Sequence, residues 1–166
     1  MSKAVLISIR PQWVEKIANG EKTIEVRKTR PNLPTPFKCY IYCTLPRYPH
    51  EDYICPEPPA PAFYGGGMVI GEFICDRVAV ITYDGGELAC TTNAAFSPAS
   101  CLSRAEIIEY IGDGGRGYGW SISDLRIYDK MRQLEEFRRP CDRDDAVRYV
   151  KRPPQSWMYV EEMKNE

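Results

Sequence analysis

The feature that most constrains this chain is its opening, where an apolar strand runs straight into a proline-started helix: "AVLISIRPQWVEKIANG". Ala4 to Ile9 is β-rich and nearly continuous in apolar character, which reads as a buried strand. Pro11 suits a first helical turn, Trp13, Val14, Ile17 and Ala18 fall on one stripe, and Gly20 suits the left-handed position that ends a helix. The next segment, "TIEVRKT", is therefore launched from a helix end. It alternates with period two, sending Ile24 and Val26 to one face and Thr23, Glu25 and Arg27 to the other.

"FKCYIYCT" reads as a third strand. It is followed by "LPRYPHEDYICPEPPAPAFYGGG", a Pro- and Gly-rich stretch that cannot easily form helix or central strand; loops of this length tend to be functional or mobile. "MVIGEFICDRVAVITY" reads as one strand or two, bent around Gly71 or broken at Asp76 and Arg77. "LSRAEIIEYIGDGG" is a short helix with Ser103 and Glu106 as a capping box, an apolar face of Ile107, Ile108 and Ile111, and Gly112 as its stop. "GYGWSISDLRIYD" resumes strand character with a shift of parity near Ser123 and Asp124, and "SWMYVEE" closes the chain as a strand. Between them, "KMRQLEEFRRPCDRDDAVRYVKRPP" is dense in both signs of charge and reads as a solvated covering segment rather than a partner tail.

Strand, helix, then many strands with one further helix predict an α+β domain. Short antiparallel strands must manage their edges, so the sheet is expected to curl into a barrel. With 166 residues, 43% of them hydrophobic and 27% charged, the chain fits one domain, residues 1–166, with enough apolar surface for a core. There are no internal repeats and no linker that would split it. No apolar run approaches the roughly 20 residues of a membrane helix, and the start lacks the pattern of a secretory signal, so a cytoplasmic protein without a membrane partner is expected.

Seven scattered cysteines fit that compartment as reduced thiols rather than a disulfide framework. Cys39, Cys43, Cys55 and His50 are imaginable around zinc, but no CxxC pair supports a metal, and small buried thiols are the simpler reading. No cofactor is expected. "GDGGRG" matches a dinucleotide-binding pattern literally, yet it follows a helix and precedes a strand, the reverse of the required context, and is read as a glycine-rich turn. A Ser-His-Asp or Cys-His arrangement would need His50, the single histidine, in the Pro-rich stretch, and is set aside.

Charge is distributed unevenly. Residues 1–47 hold nine Lys or Arg against three Glu, whereas 48–113 hold two Arg against ten Asp or Glu. A local basic region of this kind suits a phosphate-bearing partner, although a pI near 6.0 excludes a bulk nucleic-acid coat. Within that region Lys22 follows the helix end, while Glu25 and Arg27 project from one strand face, so three charged groups can converge on a small polar ligand. Arg27 offers a bidentate fork for phosphate or a base edge. Glu25 can accept from an exocyclic amine or orient Arg27, and Lys22 can hold phosphate or, if desolvated, act as a base. Arg10, at the end of the first strand, is a fourth candidate cation. Tyr118 and Trp120 would share one strand face, as would Trp157 and Tyr159, and Tyr118 and Trp120 are taken as candidate base-stacking residues; Trp157 is read as core.

"NGEKTIEVRK" carries the G-x-K-x-x-E-x-R pattern of the ASCH domains, a branch of the PUA-like barrels, on Gly20, Lys22, Glu25 and Arg27. The chain resembles that family in context too, since the pattern follows a strand and a helix and precedes an aromatic strand like "YGWSI". With "RRPC" and "RPPQSWMYVEE", it is similar to small stand-alone ASCH proteins of phages and prophages. The resemblance implies a PUA-like β-barrel with flanking helices and a cleft, gathering the signature residues, that takes RNA or nucleotides.

Two functions follow as expectations: an RNA- or nucleotide-binding module, or a small hydrolase acting on a modified nucleoside or on RNA, with Lys22 and Glu25 as its catalytic pair. Some relatives look like amidohydrolases of acetylated cytidine that use the Lys and Thr of a K-x-x-T segment with a distant Glu. Here the position three after Lys22 is Glu25, and Glu72 is only a guess for the distant carboxylate. A third class is a phage adaptor binding protein through "PEPPAP" in an extended polyproline form. No obligatory protein partner is evident.

Overall fold

The computed structural model describes residues 2–45, 65–91, 96–140 and 148–163. His50, Cys55, Cys141 and nearly all of the Pro-rich stretch, with the expectations attached to them, lie outside the described residues. The elements run β1 (Lys3–Ile9), α1 (Pro11–Ala18), β2 (Ile24–Arg27), β3 (Phe37–Cys43), β4 (Val69–Cys75), β5 (Val78–Tyr83), β6 (Leu88–Cys90), α2 (Phe96–Ser100), α3 (Arg104–Ile111), β7 (Arg116–Ser121), β8 (Ser123–Arg132) and β9 (Trp157–Glu161). The break at Asp76 and Arg77 separates β4 from β5; β7 and β8 part at Ile122, and Asp124, the second residue of β8, takes φ of 47°.

The strands form two sheets, ordered β8-β4-β3-β1-β9 and β2-β7-β5-β6. The α+β class holds. The barrel does not close: among the described residues no hydrogen-bonded strand pair joins the two ladders, because β8 pairs with β4 and leaves β7 behind. Large side chains keep the sheets apart as facing layers, with Trp120 of β7 packed edge-on against Phe37 of β3 at 5.7 Å.

Alternation sorts β1 and β3 between two cores. Val5, Ile7, Ile9, Cys39, Ile41 and Cys43 face the second sheet, whereas Ala4, Leu6, Tyr40 and Tyr42 face the opposite way. A strand buried on both faces needs no polar positions, which explains the continuous apolar runs, and β1 and β3 run parallel as such strands commonly do. The back core is closed by Leu134, Phe137 and Val150, so the charged segment after β8 is pinned by apolar anchors and is not merely a solvated cover. On the outer face of the four-stranded sheet, Val26, Ile81, Phe96, Ile107 and Ile111 make a third core under α2 and α3.

Helix α1 begins as expected, with Pro11 in its first turn and Val14 and Ile17 buried. Gly20 takes φ of 82° and donates to the Ile17 carbonyl, turning the chain toward β2. The Ser103/Glu106 capping box on α3 is formed, and Gly112 follows it with φ of 82°. No helix is long and apolar enough to cross a membrane among the described residues.

Candidate functional site

The strand β2 pairs antiparallel with β7, placing Glu25 opposite Trp120 and Arg27 opposite Tyr118. Directly opposed residues share a sheet face, so these four side chains look toward the space between the sheets, while Ile24 and Val26 pack outward under α2 and α3. Lys22 reaches the same space from the turn after α1. Its backbone N–H donates to the Lys16 carbonyl at 2.9 Å, fixing that turn against the helix.

The three charges are buried: Lys22 is 2% exposed, Glu25 6% and Arg27 9%. Lys22 Nζ lies 3.4 Å from Glu25 Oε2, and Arg27 Nη2 lies 2.8 Å from Glu25 Oε1, so one carboxylate bridges two cations. Lys22 also donates to the Ser100 carbonyl at 2.6 Å and lies 5.2 Å from the centre of the Trp13 ring. Arg27 Nη2 donates to the Ser8 carbonyl at 2.7 Å and Nη1 to Ser156 Oγ at 3.3 Å. Burial holds the Lys22 ammonium below its usual lysine range; the Glu25 carboxylate opposes that shift without cancelling it.

Several of these contacts were not readable in the sequence. Ser100 ends α2, a five-residue helix too short to have a clear periodic signal. Its hydroxyl donates to the Ser97 carbonyl and accepts from the Leu102 N–H, which aims the Ser100 carbonyl back at Lys22. Ser8 lies on β1 and Ser156 just before β9, and the two are tied by the Ser8 N–H donating to the Ser156 carbonyl at 2.9 Å. No residue-type signal marks a backbone carbonyl as a cation's partner.

Not every expected site residue joins the cluster. Arg10 is exposed at the start of α1 and makes no hydrogen bond or ion pair with Lys22, Glu25 or Arg27. Tyr118 is half-buried against the inter-sheet core. Trp120 is 0% exposed, wedged between Phe37 and Trp157, so it presents no face to a stacked base; the expectation of an aromatic platform there is corrected. Trp157, read as core, is instead half-buried and donates to Thr29 Oγ1 at 2.9 Å. Glu72 lies on the far face of the five-stranded sheet, 3.6 Å from Lys38 Nζ and accepting from the Tyr128 hydroxyl at 2.6 Å, so it cannot serve Lys22 as the distant carboxylate. Cys39 and Cys43 are buried in the inter-sheet core, and no metal-binding cluster forms among the described residues.

Two buried donors in this region have no partner among the described residues: Arg27 Nε and Trp120 Nε1. A buried donor left without any acceptor costs on the order of 1–3 kcal/mol, so such donors favour an occupant that brings one. A cleft of about 620 Å³ opens nearby along Thr23, Ile24, Arg77, Phe96 and Ser121, but Lys22, Glu25 and Arg27 do not line it. The charged cluster is therefore a nearly closed site, with Arg27 as its most exposed member.

No protein-family model and no curated protein matches the chain. Solved structures do. An ASCH protein from Zymomonas mobilis aligns with a TM-score of 0.62 at 19% identity, over 95% of this chain and 87% of that one. A Tyr-to-Phe variant of that protein aligns with a TM-score of 0.59 at 19% identity over 96% and 91%, and a Ser-to-Ala variant with 0.59 at 20% over 95% and 88%. The fold of this chain is like that of the Zymomonas mobilis ASCH protein, in the α+β class read from the order of elements.

Proposed function

We propose that the protein binds RNA or a nucleotide-like ligand at Lys22, Glu25 and Arg27. The observation that carries this reading is an imbalance inside the fold: two buried cations share one carboxylate, and Arg27 Nε and the neighbouring Trp120 Nε1 have no acceptor among the described residues. A buried site with surplus positive charge and idle donors favours a ligand bringing negative charge and acceptor oxygens, as a phosphate or a pyrimidine carbonyl does. The likeness in fold to an ASCH protein supports the reading by analogy only; as part of the same proposal, the chain acts in the cytoplasm as one domain of the phage and prophage type.

A second reading, turnover of a modified nucleoside or of RNA, is favoured by the lowered proton affinity of Lys22 beside Glu25, the combination a general base requires. The amidohydrolase arrangement of Lys, Thr and distant Glu is not available to it, since Glu25 replaces the Thr and Glu72 lies on the other side of the sheet.

Calorimetric titration of nucleoside monophosphates into wild type and Lys22→Met tests the binding reading. Lys22→Met leaves the Arg27 and Glu25 pair intact but removes the surplus charge, so binding is expected to weaken at least about tenfold, roughly one charge-assisted contact. Equal affinity for the two proteins would sink the assignment. Mass spectrometry of acylated nucleosides and short RNAs incubated with both proteins decides turnover: consumption by wild type alone makes it a hydrolase.

A further inference from the structure

Beyond the inter-sheet site, the segment after β8 builds a second basic surface. Residues 137–139 and 148–150 pair antiparallel, with the Arg139 N–H donating to the Arg148 carbonyl at 2.7 Å, the Val150 N–H to the Phe137 carbonyl at 2.8 Å, and a bridge between Arg138 and Tyr149. Phe137 and Val150 are each 0% exposed and nail this ribbon to the back core. Its outward positions are Arg138, Arg139, Arg148 and Tyr149, and the exposed Lys151 and Arg152 continue the run. Arg139, Arg148, Tyr149, Lys151 and Arg152 line a groove of about 560 Å³.

Like charges opposed across a ribbon are destabilising, and Arg139, Arg148, Lys151 and Arg152 have no ion pair among the described residues to offset that. In their midst Tyr149 is 44% exposed, with the Arg138 guanidinium 5.6 Å from its ring centre. An exposed aromatic among cations that have no ion pair among the described residues offers stacking for a base and charge for phosphates. The groove is also close in the chain to partners of the inter-sheet site. Four residues beyond Arg152, at most about 14 Å of extended chain, Ser156 accepts from Arg27, and Pro154 accepts from the Ser8 hydroxyl at 2.6 Å.

We infer that this ribbon is a docking surface for the phosphate backbone of single-stranded RNA, which it leads along residues 148–156 toward Lys22, Glu25 and Arg27. The inference rests on the nucleotide-binding reading for its destination, while the groove itself stands on its own residues. Arg139, Arg148, Lys151 and Arg152 contact phosphates, and Tyr149 stacks a base.

The test is fluorescence anisotropy with a labelled 12-nucleotide single-stranded RNA across 50–200 mM salt, for wild type, Arg148→Ala/Lys151→Ala/Arg152→Ala and Tyr149→Ala. Nucleoside monophosphate binding is followed in parallel, and circular dichroism melts check that these exposed substitutions leave folding unchanged. The triple variant is expected to bind the RNA at least about tenfold more weakly, with a salt slope shallower by about 2, since each lost phosphate contact on a single strand removes about 0.7. Tyr149→Ala is expected to weaken binding with the slope preserved. Monophosphate affinity should not change in either. Unchanged RNA affinity and slope in the triple variant overturns the docking surface and leaves the inter-sheet site standing. Patch-dependent RNA binding without any monophosphate binding keeps the docking surface and removes its destination. Preferential, patch-dependent binding to phosphatidylserine vesicles over RNA overturns the inference in favour of a membrane surface.

Discussion

Glu25 is the residue on which the buried charges balance. Its two oxygens engage Lys22 and Arg27 separately, so removing it leaves two cations facing each other out of water. Breaking a buried ion network in this way costs about 3–5 kcal/mol. Glu25→Ala is therefore expected to lower the thermal midpoint sharply, whereas Lys22→Met, which leaves the 2.8 Å Arg27 contact in place, should cost far less. Thermal melts of the two variants side by side check this ordering. If Glu25→Ala melts with wild type, the pair does not hold the fold. At this scale the sequence was partly legible: period-two alternation put Glu25 and Arg27 on one face, and a spacing of three brought Lys22 alongside. It could not rank the tryptophans. Trp120 and Trp157 each lie on a strand in a similar aromatic context, and only the facing sheet seals one at 0% exposure while leaving the other half-open.

At the scale of elements, the local punctuation was readable where it is chemically strong. Pro11, Gly20 and the Ser103/Glu106 box act within a turn of their own positions, and those helix ends fall as their residues dictate. Helix α2 and the three-residue β6 escaped because neither is long enough to complete a periodic pattern. Gly71 shows how one element constrains another. A Cβ there would lie 2.5 Å from the Arg126 carbonyl oxygen and 3.1 Å from Ile127 Cα, and the β4–β8 register shifts at the same place. Because the obstacle is backbone, Gly71→Ala must push the strands apart, at an expected cost of about 1–3 kcal/mol. Urea unfolding measures it; an unchanged midpoint would mean that β8 yields freely.

For the molecule as a whole, the buried thiols and phenols make alkaline stability a direct readout of the packing. Burial raises Cys43 to about 11, Cys75 to about 12 and Tyr40 to about 12, and pushes Cys39, Tyr42 and Tyr128 upward as well. These groups stay protonated in the folded state while their unfolded counterparts ionise from about pH 9 for the thiols. The folded state then binds more protons, so stability falls as pH rises, by about 1.4 kcal/mol per pH unit for each such group. Lys22 works the other way, since its lowered value makes the unfolded state the more protonated one just below the usual lysine range. Cys43 and Cys75 alone outweigh it, removing on the order of 3 kcal/mol per unit, and over two units that rivals the lower end of a typical net stability of about 5–15 kcal/mol. The thermal midpoint should hold steady near neutrality and fall steeply above about pH 9, with a shallower fall in Cys75→Ala. A midpoint flat to pH 10.5 would mean that these thiols are wet.

By itself the sequence determined what depends on neighbours a few residues away: the α+β order of elements, the helix caps, the faces of β2, and the gathering of Lys22, Glu25 and Arg27 within six positions. Only the tertiary structure decided what those charges meet. Ser100 is 78 residues from Lys22, Ser156 is 129 from Arg27, and Glu72 lies in the other, five-stranded sheet, on the face turned away from these charges. Alternation and capping act through local backbone geometry, which the residue types carry. Burial of a charge, an orphaned donor or an open groove depends on which distant surfaces pack together, and no short stretch of sequence contains both partners.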